Sequence, residues 1–382
     1  MTGPDHEPLP PGFPEWRPEP PWVMSEMISS EPQLAARILE EGEGRRRIAP
    51  MVAAALARGD RVAIVGCGTS EHAAMAVAAL IEHATGPRAL VHPRQALEAA
   101  LEPWPGLCLA ISHEGETAAT VAAAEAARRV GADTALITAA AASSAGRAVR
   151  ELALTPAVDR SWCHTVGYLS PVLVGVDVAA QLAGEPGDPR LAAGFLLSCQ
   201  AEMAPAARAA AVGLGGRSSI SCLGAAGDHV AALELALKIA EGSRVPALSH
   251  QLETFLHGHL AALDAGSAVV LVLADPDRGP RLLARARQAL AAARMVGAGV
   301  FLIAGPRVPA EFAAELLSAP PLRIPAAPGL EPQAAAVLGA GMGLQLLAVE
   351  LATVRGTNPD LIRREELAYR EAATQAAGPI AL

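Results

Sequence analysis

Short apolar runs alternate along the chain with longer, Ala- and Leu-rich segments of helical character. In the first half, the runs RVAIV, LCLAI, DTALIT and ELALT predict strands, and the segments that separate the first three predict helices. In the second half, SSISCLG, SAVVLVLADP and GVFLIAG predict strands in the same way. Strands that alternate with helices are typical of βαβ units and of a parallel sheet with helices on both faces. The predicted fold class is therefore α/β.

The two halves of the chain open with the same local plan. Each begins with a strand, a turn of small residues and a helix, as in VGCGTSEHAAMAVAA and LGAAGDHVAALELAL. This repetition predicts a tandem duplication of one α/β domain, joined near Gly184–Arg208. The predicted organisation is a disordered Pro-rich tail over 1–23, N-terminal helices over 24–56 broken near Gly42, a first domain over 57–190, a second domain over 209–372, and a tail over 373–382.

Composition and charge exclude several classes of protein. The 382 residues are 52% hydrophobic, which is enough apolar material for two medium-sized cores. The formal net charge of −9 argues against a nucleic-acid-binding surface, because phosphate contacts need clustered Lys and Arg. No uninterrupted apolar run of roughly twenty residues occurs, so we expect no membrane span, and the Pro-rich start lacks the apolar core of a secretory signal. Five scattered cysteines predict reduced thiols and a cytoplasmic protein.

Three turns of small and polar residues follow predicted strands. In parallel sheets ligands bind at the carboxyl ends of strands, where helix N-termini present free N–H groups. GCGTS (Gly66–Ser70) brings the hydroxyls of Thr69 and Ser70, SHEGET (Ser112–Thr117) surrounds a glycine with Ser and Thr at a helix start, and GAAGD (Gly224–Asp228) is the equivalent turn of the second half. Ordinary helix capping explains each turn equally well when it is taken alone. Two hydroxyl-rich turns after consecutive predicted strands favour an anion site.

Lys238 is the single lysine of the chain, because the other 29 of its 30 Lys and Arg residues are arginine. It lies in ELALKIAE, where Glu234, Lys238 and Glu241 are spaced four and three apart and therefore share one helix face. Such a stripe can be a solvated set of ion pairs. The rest of this helix is apolar enough to be mostly buried, and a carboxylate beside a cation in a cleft can be tuned for proton transfer.

A histidine-rich segment, SHQLETFLHGHLAALD, holds His250, Glu253, His257 and His259. His257 and His259 flank a glycine, which suits a turn better than the (i, i+4) spacing of a helical zinc pair. We therefore expect an acid–base histidine here and predict neither a metal site nor a cofactor.

The motifs GCGTS, SHEGET, GAAGDHVAALELALKIAE and ETFLHGHLAALD resemble, in order, those of tandem SIS (sugar isomerase) domains of phosphosugar isomerases. The resemblance runs from about residue 24 to 370 and is nearest to the isomerase half of glucosamine-fructose-6-phosphate aminotransferase. It implies two flavodoxin-like SIS domains, each with a five-stranded parallel sheet, in a homodimer that binds a small sugar or sugar phosphate between domains and subunits.

The resemblance also implies roles for particular residues. Glu241 matches the base that moves a proton between C1 and C2, Lys238 matches its supporting lysine, and His257 matches the histidine associated with ring opening. Thr69, Ser112 and Thr117 match residues that hold the sugar and its phosphate. The full predicted set of substrate-binding residues is Cys67, Thr69, Ser70, Ser112, His113, Glu114, Thr117, Thr165 and Arg363.

The sequence departs from the family pattern in three places. We find no glutaminase domain, so we expect no release of ammonia from glutamine by this chain alone. The phosphate loop of the family usually reads Ser-Gln-Ser-Gly-Glu-Thr, whereas His113 and Glu114 stand here at its second and third positions. A carboxylate there repels a dianion unless Glu114 points away or the ligand carries an amine. The family's C-terminal lysine is replaced, with Arg363 or Arg364 as the candidate for its space.

Three functions remain open from the sequence. The first is a sugar isomerase or amino-sugar-phosphate deaminase that works through an enediol or enediolamine. The second is a non-catalytic sensor of sugar phosphates, which the altered loop favours. The third is an isomerase subunit that receives ammonia from a separate amidotransferase.

Overall fold

The computed structural model describes residues 12–185, 188–275 and 279–378, and these form two five-stranded, all-parallel sheets. The first sheet contains β1 (Val62–Gly66), β2 (Val91–Gln95), β3 (Leu107–Ile111), β4 (Asp133–Thr138) and β5 (Glu151–Leu154), in the order β2-β1-β3-β4-β5. The second contains β6 (Ser219–Gly224), β7 (Ala247–Gln251), β8 (Ser267–Leu273), β9 (Gly299–Ala304) and β10 (Leu322–Arg323), in the order β10-β9-β8-β6-β7. The strand order is the same in both sheets, and the predicted α/β fold with two tandem domains is confirmed.

Helices surround both sheets. The N-terminal half contains α1 (Val23–Glu41), a π-helical turn (Gly44–Ile48), α2 (Ala49–Ala57), α3 (Thr69–Thr85), α4 (Ala96–Leu101), α5 (Ala118–Arg129), α6 (Ser144–Ala148) and α7 (Val166–Ala183). The C-terminal half contains α8 (Pro189–Leu214), α9 (Gly227–Ser243), α10 (Leu252–Leu256), a 3₁₀ turn (His259–Ala262), α11 (Gly279–Met295), α12 (Pro332–Arg355) and α13 (Leu367–Ala376). As predicted, the first helix ends at Gly42, which adopts a left-handed conformation.

Central strands and edge strands differ in how clearly the sequence marks them. Every residue of β1, β3 and β8 is buried, as expected for parallel strands covered on both faces. The apolar pattern missed β2, β7 and β10, which all lie at sheet edges. Their side chains are partly exposed, so polar residues occur in them, and β2 also contains Pro93, which an edge strand tolerates.

The turns that follow β1 and β6 share an unusual backbone conformation. Gly68 has φ 55° and ψ −126°, and Ala226 has φ 48° and ψ −121°. Both residues immediately precede a helix, α3 in the first domain and α9 in the second. The two domains therefore present the N-termini of corresponding helices through the same local geometry.

The segment predicted to join the domains, Gly184–Arg208, is mostly one helix. α8 begins at Pro189 and packs against α1 and α12. Its apolar residues recur at helical spacing, with Phe195, Cys199 and Met203 among those buried. The joining segment is therefore part of the core that the two domains share.

The disordered tail predicted for 1–23 is wrong for residues 12–22, while residues 1–11 lie outside the described residues. Phe13 packs edge-on against Trp162, with the ring centroids 4.6 Å apart. Trp22 is buried and precedes α1 directly. The apolar side chains of this Pro-rich segment thus find partners on the folded domain.

At the other end of the chain, the tail predicted for 373–382 begins later. α13 continues to Ala376, and residues 379–382 lie outside the described residues.

Two helices, α7 and α12, are long and apolar enough to cross a membrane by length and composition. The protein itself buries 67% of the apolar window in α7 and 78% of that in α12. We assign both to the protein core, where helices that are apolar on all sides are expected.

Candidate active site

One face of α9 carries three ionisable side chains that contact one another. Lys238 Nζ lies 2.5 Å from Oε2 of Glu241 and 3.6 Å from Oε1 of Glu234. Lys238 and Glu234 are fully buried, whereas the side chain of Glu241 is 23% exposed. The spacing predicted from the sequence therefore produces a cluster beneath the surface rather than a solvated stripe, and Glu241 is its accessible member.

Two residues of α3 bind this cluster from the first domain. Thr69 Oγ1 donates a hydrogen bond of 3.2 Å to Oε1 of Glu234. His72 Nδ1 lies 2.6 Å from Oε2 of the same carboxylate. The sequence analysis did not single out His72, although its position one turn after Thr69 places both on one helix face. Because Glu234 is bound from both domains, the cluster lies at their boundary.

Burial and neighbouring charges shift the pKa values of all three side chains in the cluster. Burial alone lowers the pKa of Lys238, but the carboxylates of Glu241 and Glu234 outweigh it, and the pKa is raised. For Glu234, the opposite charge of Lys238 and the bond from His72 outweigh the effect of burial, so its pKa is lowered. For Glu241, burial dominates and raises the pKa in spite of Lys238. A carboxylate with a raised pKa beside a fixed ammonium is suited to accept and return a proton.

The turn after β1 brings Cys67, Thr69 and Ser70 to the start of α3. The Cys67 thiol is half-buried and accepts weak hydrogen bonds from Gln95 Nε2 at 3.8 Å and Thr120 Oγ1 at 4.0 Å. Burial raises the pKa of this thiol, so it is neutral at physiological pH. Ser70 donates its backbone N–H to the carbonyl of Cys67, which closes the turn.

The turn after β3 contains the predicted phosphate loop. Ser112 is buried, Glu114 and Thr117 are exposed, and Thr117 precedes α5 without a side-chain cap bond. Gly115 adopts φ 70°, and a Cβ there would lie 2.0 Å from Oγ of Ser143. The loop therefore presents the free N-terminus of α5, with the carboxylate of Glu114 exposed and without a hydrogen bond or ion pair to any described residue.

The side chain of His113, the second residue of this loop, is buried. Its Nε2 accepts a hydrogen bond of 2.7 Å from the backbone N–H of Asp159, and burial lowers its pKa. The carboxylate of Asp159 in turn accepts from the backbone N–H groups of Ser161, Thr165 and Gly167 at the start of α7. His113, predicted to bind substrate, thus holds the phosphate loop against the segment before α7.

The segment before α7 contains Thr165, which the sequence predicted to bind substrate, and His164, which the sequence analysis missed. Thr165 is fully buried, and its hydroxyl has no hydrogen-bond partner among the described residues. The imidazole of His164 packs edge-on against His113 at 5.4 Å. Burial lowers the pKa of His164 to about 3, and the positive charges of Lys238 and Arg364 act in the same direction. A neutral imidazole therefore lies within electrostatic range of the α9 cluster.

The structure does not bring two of the predicted site residues to this cluster. His257 follows α10, has a side chain that is 74% exposed, and lies 3.4 Å from Glu253, a carboxylate that Arg285 also binds. Arg363 forms an ion pair with Glu366, three residues further along the C-terminal loop. The neighbouring Arg364, rather than Arg363, has a side chain within electrostatic range of Glu241 and Glu114.

The described residues show no metal centre. They contain no group of three or more His, Cys, Asp and Glu side chains arranged to hold a metal ion. In the histidine-rich segment, the rings of His250 and His259 stack at 3.9 Å instead.

The sequence of this chain matches known proteins along most of its length. Residues 55–168 match the family model for the SIS domain. Over 334 residues, 83% of this chain, it is 29% identical to glutamine–fructose-6-phosphate aminotransferase (isomerizing) from Pyrococcus horikoshii. That match covers 53% of the relative, and the chain spans about half the length of the curated relatives it matches.

Solved structures share the fold of most of the chain. The C-terminal domain of glucosamine-fructose-6-phosphate aminotransferase from Francisella tularensis superposes with a TM-score of 0.72 at 21% identity, covering 89% of this chain and 98% of that one. Tagatose-6-phosphate ketose/aldose isomerase from Escherichia coli gives a TM-score of 0.74 at 21% identity, covering 88% and 95%. Glucosamine-6-phosphate deaminase from Thermotoga maritima gives 0.67 at 18% identity, covering 88% and 96%. This chain thus carries an SIS domain over residues 55–168 and is homologous to the isomerase part of glutamine–fructose-6-phosphate aminotransferase.

Proposed function

We propose that this chain binds a phosphosugar or amino-sugar phosphate in the cytoplasm and moves a proton between its C1 and C2. The observation that carries the proposal is the α9 cluster, in which buried Lys238 supports a partly exposed carboxylate, that of Glu241. Two of its structural neighbours are named as an aldose–ketose isomerase and an amino-sugar-phosphate deaminase. Proton transfer between C1 and C2 can lead to either of these reactions.

In this mechanism Glu241 acts as the base. It removes the proton from C2 of the open-chain sugar, next to the C1 carbonyl or imine, to give an enediol or enediolamine. Return of that proton to C1 gives the ketose, or a ketimine when C2 carried an amine. Water then adds to the ketimine and ammonia leaves. Lys238 holds the carboxylate in place, and the turn residues Thr69, Ser112 and Thr117 bind the sugar and its phosphate.

Solvent exchange tests this assignment. The purified protein is incubated in D₂O with fructose 6-phosphate, tagatose 6-phosphate or glucosamine 6-phosphate, and deuterium at C1 and C2 is followed by NMR. We expect exchange with one of them, and Glu241→Gln should abolish the exchange while the variant still binds the sugar. Glu350→Gln is the control, since that carboxylate lies in a surface ion pair with Arg208. Full exchange by Glu241→Gln would falsify the assignment.

His257 is exposed and lies outside the α9 cluster of its own chain. We propose a homodimer in which His257 of one copy completes the site that Glu241 forms in the other. Co-expression of Glu241→Gln with His257→Ala tests it, because mixed dimers keep one site with both native residues. Activity should recover to about a quarter of the native value in a statistical mixture, whereas each variant alone stays inactive. If the mixture stays inactive, the two residues do not meet between subunits.

A non-catalytic sensor is the second candidate, and one observation favours it. Glu114 places an exposed carboxylate in the loop that holds phosphate in the family, which weakens a site built for turnover of phosphosugars. A sensor binds its ligand without exchanging carbon-bound protons. Binding by calorimetry together with a lack of deuterium incorporation for every bound sugar would select this candidate.

A further inference from the structure

Two adjacent arginines in the loop between α12 and α13 have opposite surroundings. Arg363 donates from Nε to Glu366 at 2.8 Å, and its guanidinium lies 4.0 Å from the ring of Tyr369. The guanidinium of Arg364 lies 4.7 Å from the ring of Trp162. Among the described residues, no carboxylate or carbonyl forms an ion pair or hydrogen bond with the Arg364 side chain. Arg364 is half-buried, so this unpaired cation is held close to the protein and not free in solvent.

The loop that carries the two arginines has an unusual backbone conformation. Ile362 and Arg363 both adopt positive φ, 41° and 68°, which residues with a side chain seldom do. The loop is anchored just before them at Asp360. Its buried carboxylate accepts the first two backbone N–H groups of α1 at 2.9 and 2.8 Å, and its carbonyl accepts from Trp162 N–H at 2.9 Å. The same anchor therefore positions the loop and the ring on which Arg364 rests.

Trp162 is itself held in place. Phe13 packs edge-on against it with ring centroids 4.6 Å apart, so the indole contacts both Phe13 and the Arg364 guanidinium. A planar guanidinium against an aromatic ring loses little further freedom when it binds a ligand. Trp162 is thus suited to be a positioning residue for Arg364.

The charges of the site leave Arg364 available to a ligand. Lys238 is occupied by Glu234 and Glu241, whereas Arg364 and Glu114 are within electrostatic range of each other but do not pair. Burial lowers the pKa of Arg364, and the carboxylates of Glu241 and Glu114, both within electrostatic range of the guanidinium, oppose that shift only in part. An oxyanion that enters the site would supply the hydrogen-bond acceptor that this guanidinium lacks.

We propose that Arg364 binds an anionic group of the ligand, a phosphate or a carboxylate, and that Trp162 positions its guanidinium. Identification of the ligand as a sugar derivative rests on the proposed function, whereas the anion contact does not. An arginine presents parallel N–H donors that match two oxygens of either anion.

The adjacent arginine provides a matched control. Binding of fructose 6-phosphate, gluconate, inorganic phosphate and unmodified fructose is measured by calorimetry for the native protein, Arg364→Ala, Arg364→Lys and Arg363→Ala. We expect the native protein to prefer an anionic probe over fructose. Arg364→Ala should weaken that probe by about tenfold or more, Arg364→Lys should fall between, and Arg363→Ala should stay within about twofold. Preference for fructose 6-phosphate or for gluconate identifies the anion as phosphate or carboxylate.

A second set of variants tests the role of Trp162. Trp162→Ala should weaken the anionic probe, Trp162→Phe should restore most of the affinity, and adding Trp162→Ala to Arg364→Ala should cost nothing further. Additive losses would show that Trp162 acts independently of Arg364. Urea midpoints of all variants exclude losses that come from unfolding.

Three results would overturn the anion contact: equal losses in Arg363→Ala and Arg364→Ala, a change below about twofold in a folded Arg364→Ala, or failure of the native protein to bind any anionic probe. These outcomes do not depend on whether the proposed function is correct. Turnover that survives Glu241→Gln removes the catalytic assignment and leaves the Arg364 contact intact.

Discussion

The ammonium of Lys238 lies 2.5 Å from Oε2 of Glu241, three residues further along α9, and is itself fully buried. Glu234, one turn before, lies 3.6 Å from the same ammonium, and its carboxylate is bound by the first-domain residues Thr69 and His72. The single lysine of the chain therefore joins a carboxylate at the surface of the site to a carboxylate at the domain boundary. Its removal should affect folding as well as chemistry.

Lys238→Met should lower the free energy of unfolding by about 3 kcal/mol or more, because it leaves two carboxylates without their shared cation. Urea denaturation followed by circular dichroism measures the change. Arg208→Met is the control, since it breaks a surface ion pair with Glu350 and should cost below about 1 kcal/mol. Equal urea midpoints for native protein and Lys238→Met would show that the buried contacts do not stabilise the fold.

His164 should make the protein less stable in acid. Its folded pKa is lowered from 6.5 to about 3, so between these values the folded state binds fewer protons than the unfolded state. Above pH 6.5 His164 does not lower the free energy of unfolding. As the pH falls from 6.5 towards 3, the free energy of unfolding decreases by up to about 1.4 kcal/mol per pH unit.

Urea midpoints between pH 7.5 and about 4.5 test this dependence. The slope should flatten in His164→Asn and stay as in the native protein in His257→Asn, whose imidazole is largely exposed. A slope that His164→Asn leaves unchanged would assign the acid sensitivity to other groups.

The equivalent turns of the two domains allow a paired experiment on backbone strain. Ala226 adopts the conformation that Gly68 adopts in the first domain, and only glycine reaches it without steric cost. Ala226→Gly should therefore raise the free energy of unfolding by about 1 kcal/mol, and Gly68→Ala should lower it by a similar amount.

Space does not limit the Gly68 substitution, because the nearest atom to an added Cβ is Cδ2 of Leu237 at 4.0 Å. Any loss in Gly68→Ala therefore reports the backbone conformation. If Ala226→Gly destabilises the protein, the strain at this turn is smaller than the entropy that glycine adds to the unfolded chain.

Glu114→Ser should change ligand preference. Removing an exposed carboxylate from the loop at the N-terminus of α5 should strengthen binding of fructose 6-phosphate and weaken binding of glucosamine, each by about tenfold or less. Calorimetry measures the ratio of the two affinities. Glu125→Ser, an exposed carboxylate later on α5, is the control for net charge. A ratio that moves equally in both variants would mean that Glu114 does not contact the ligand.

Local sequence patterns predicted the central strands of both sheets, because these strands are buried on both faces and appear as continuous apolar runs. The edge strands β2, β7 and β10 were missed because one side of each faces solvent or loops, so no such run is required. The sequence also placed the domain junction near Gly184–Arg208 without predicting α8, which fills most of that segment and packs against α1 and α12.

For the candidate site, the spacing of Glu234, Lys238 and Glu241 on one helix face follows from the sequence alone, since helical periodicity is a local property. Which distant groups join these three residues depends on tertiary packing. It brought His72 and Thr69 to Glu234, set His113 against Asp159, and left Arg364 within electrostatic range of Glu241 while Arg363 pairs with Glu366. These contacts depend on how two sheets, their helices and a strained loop pack together, and no pattern of neighbouring residues encodes that packing.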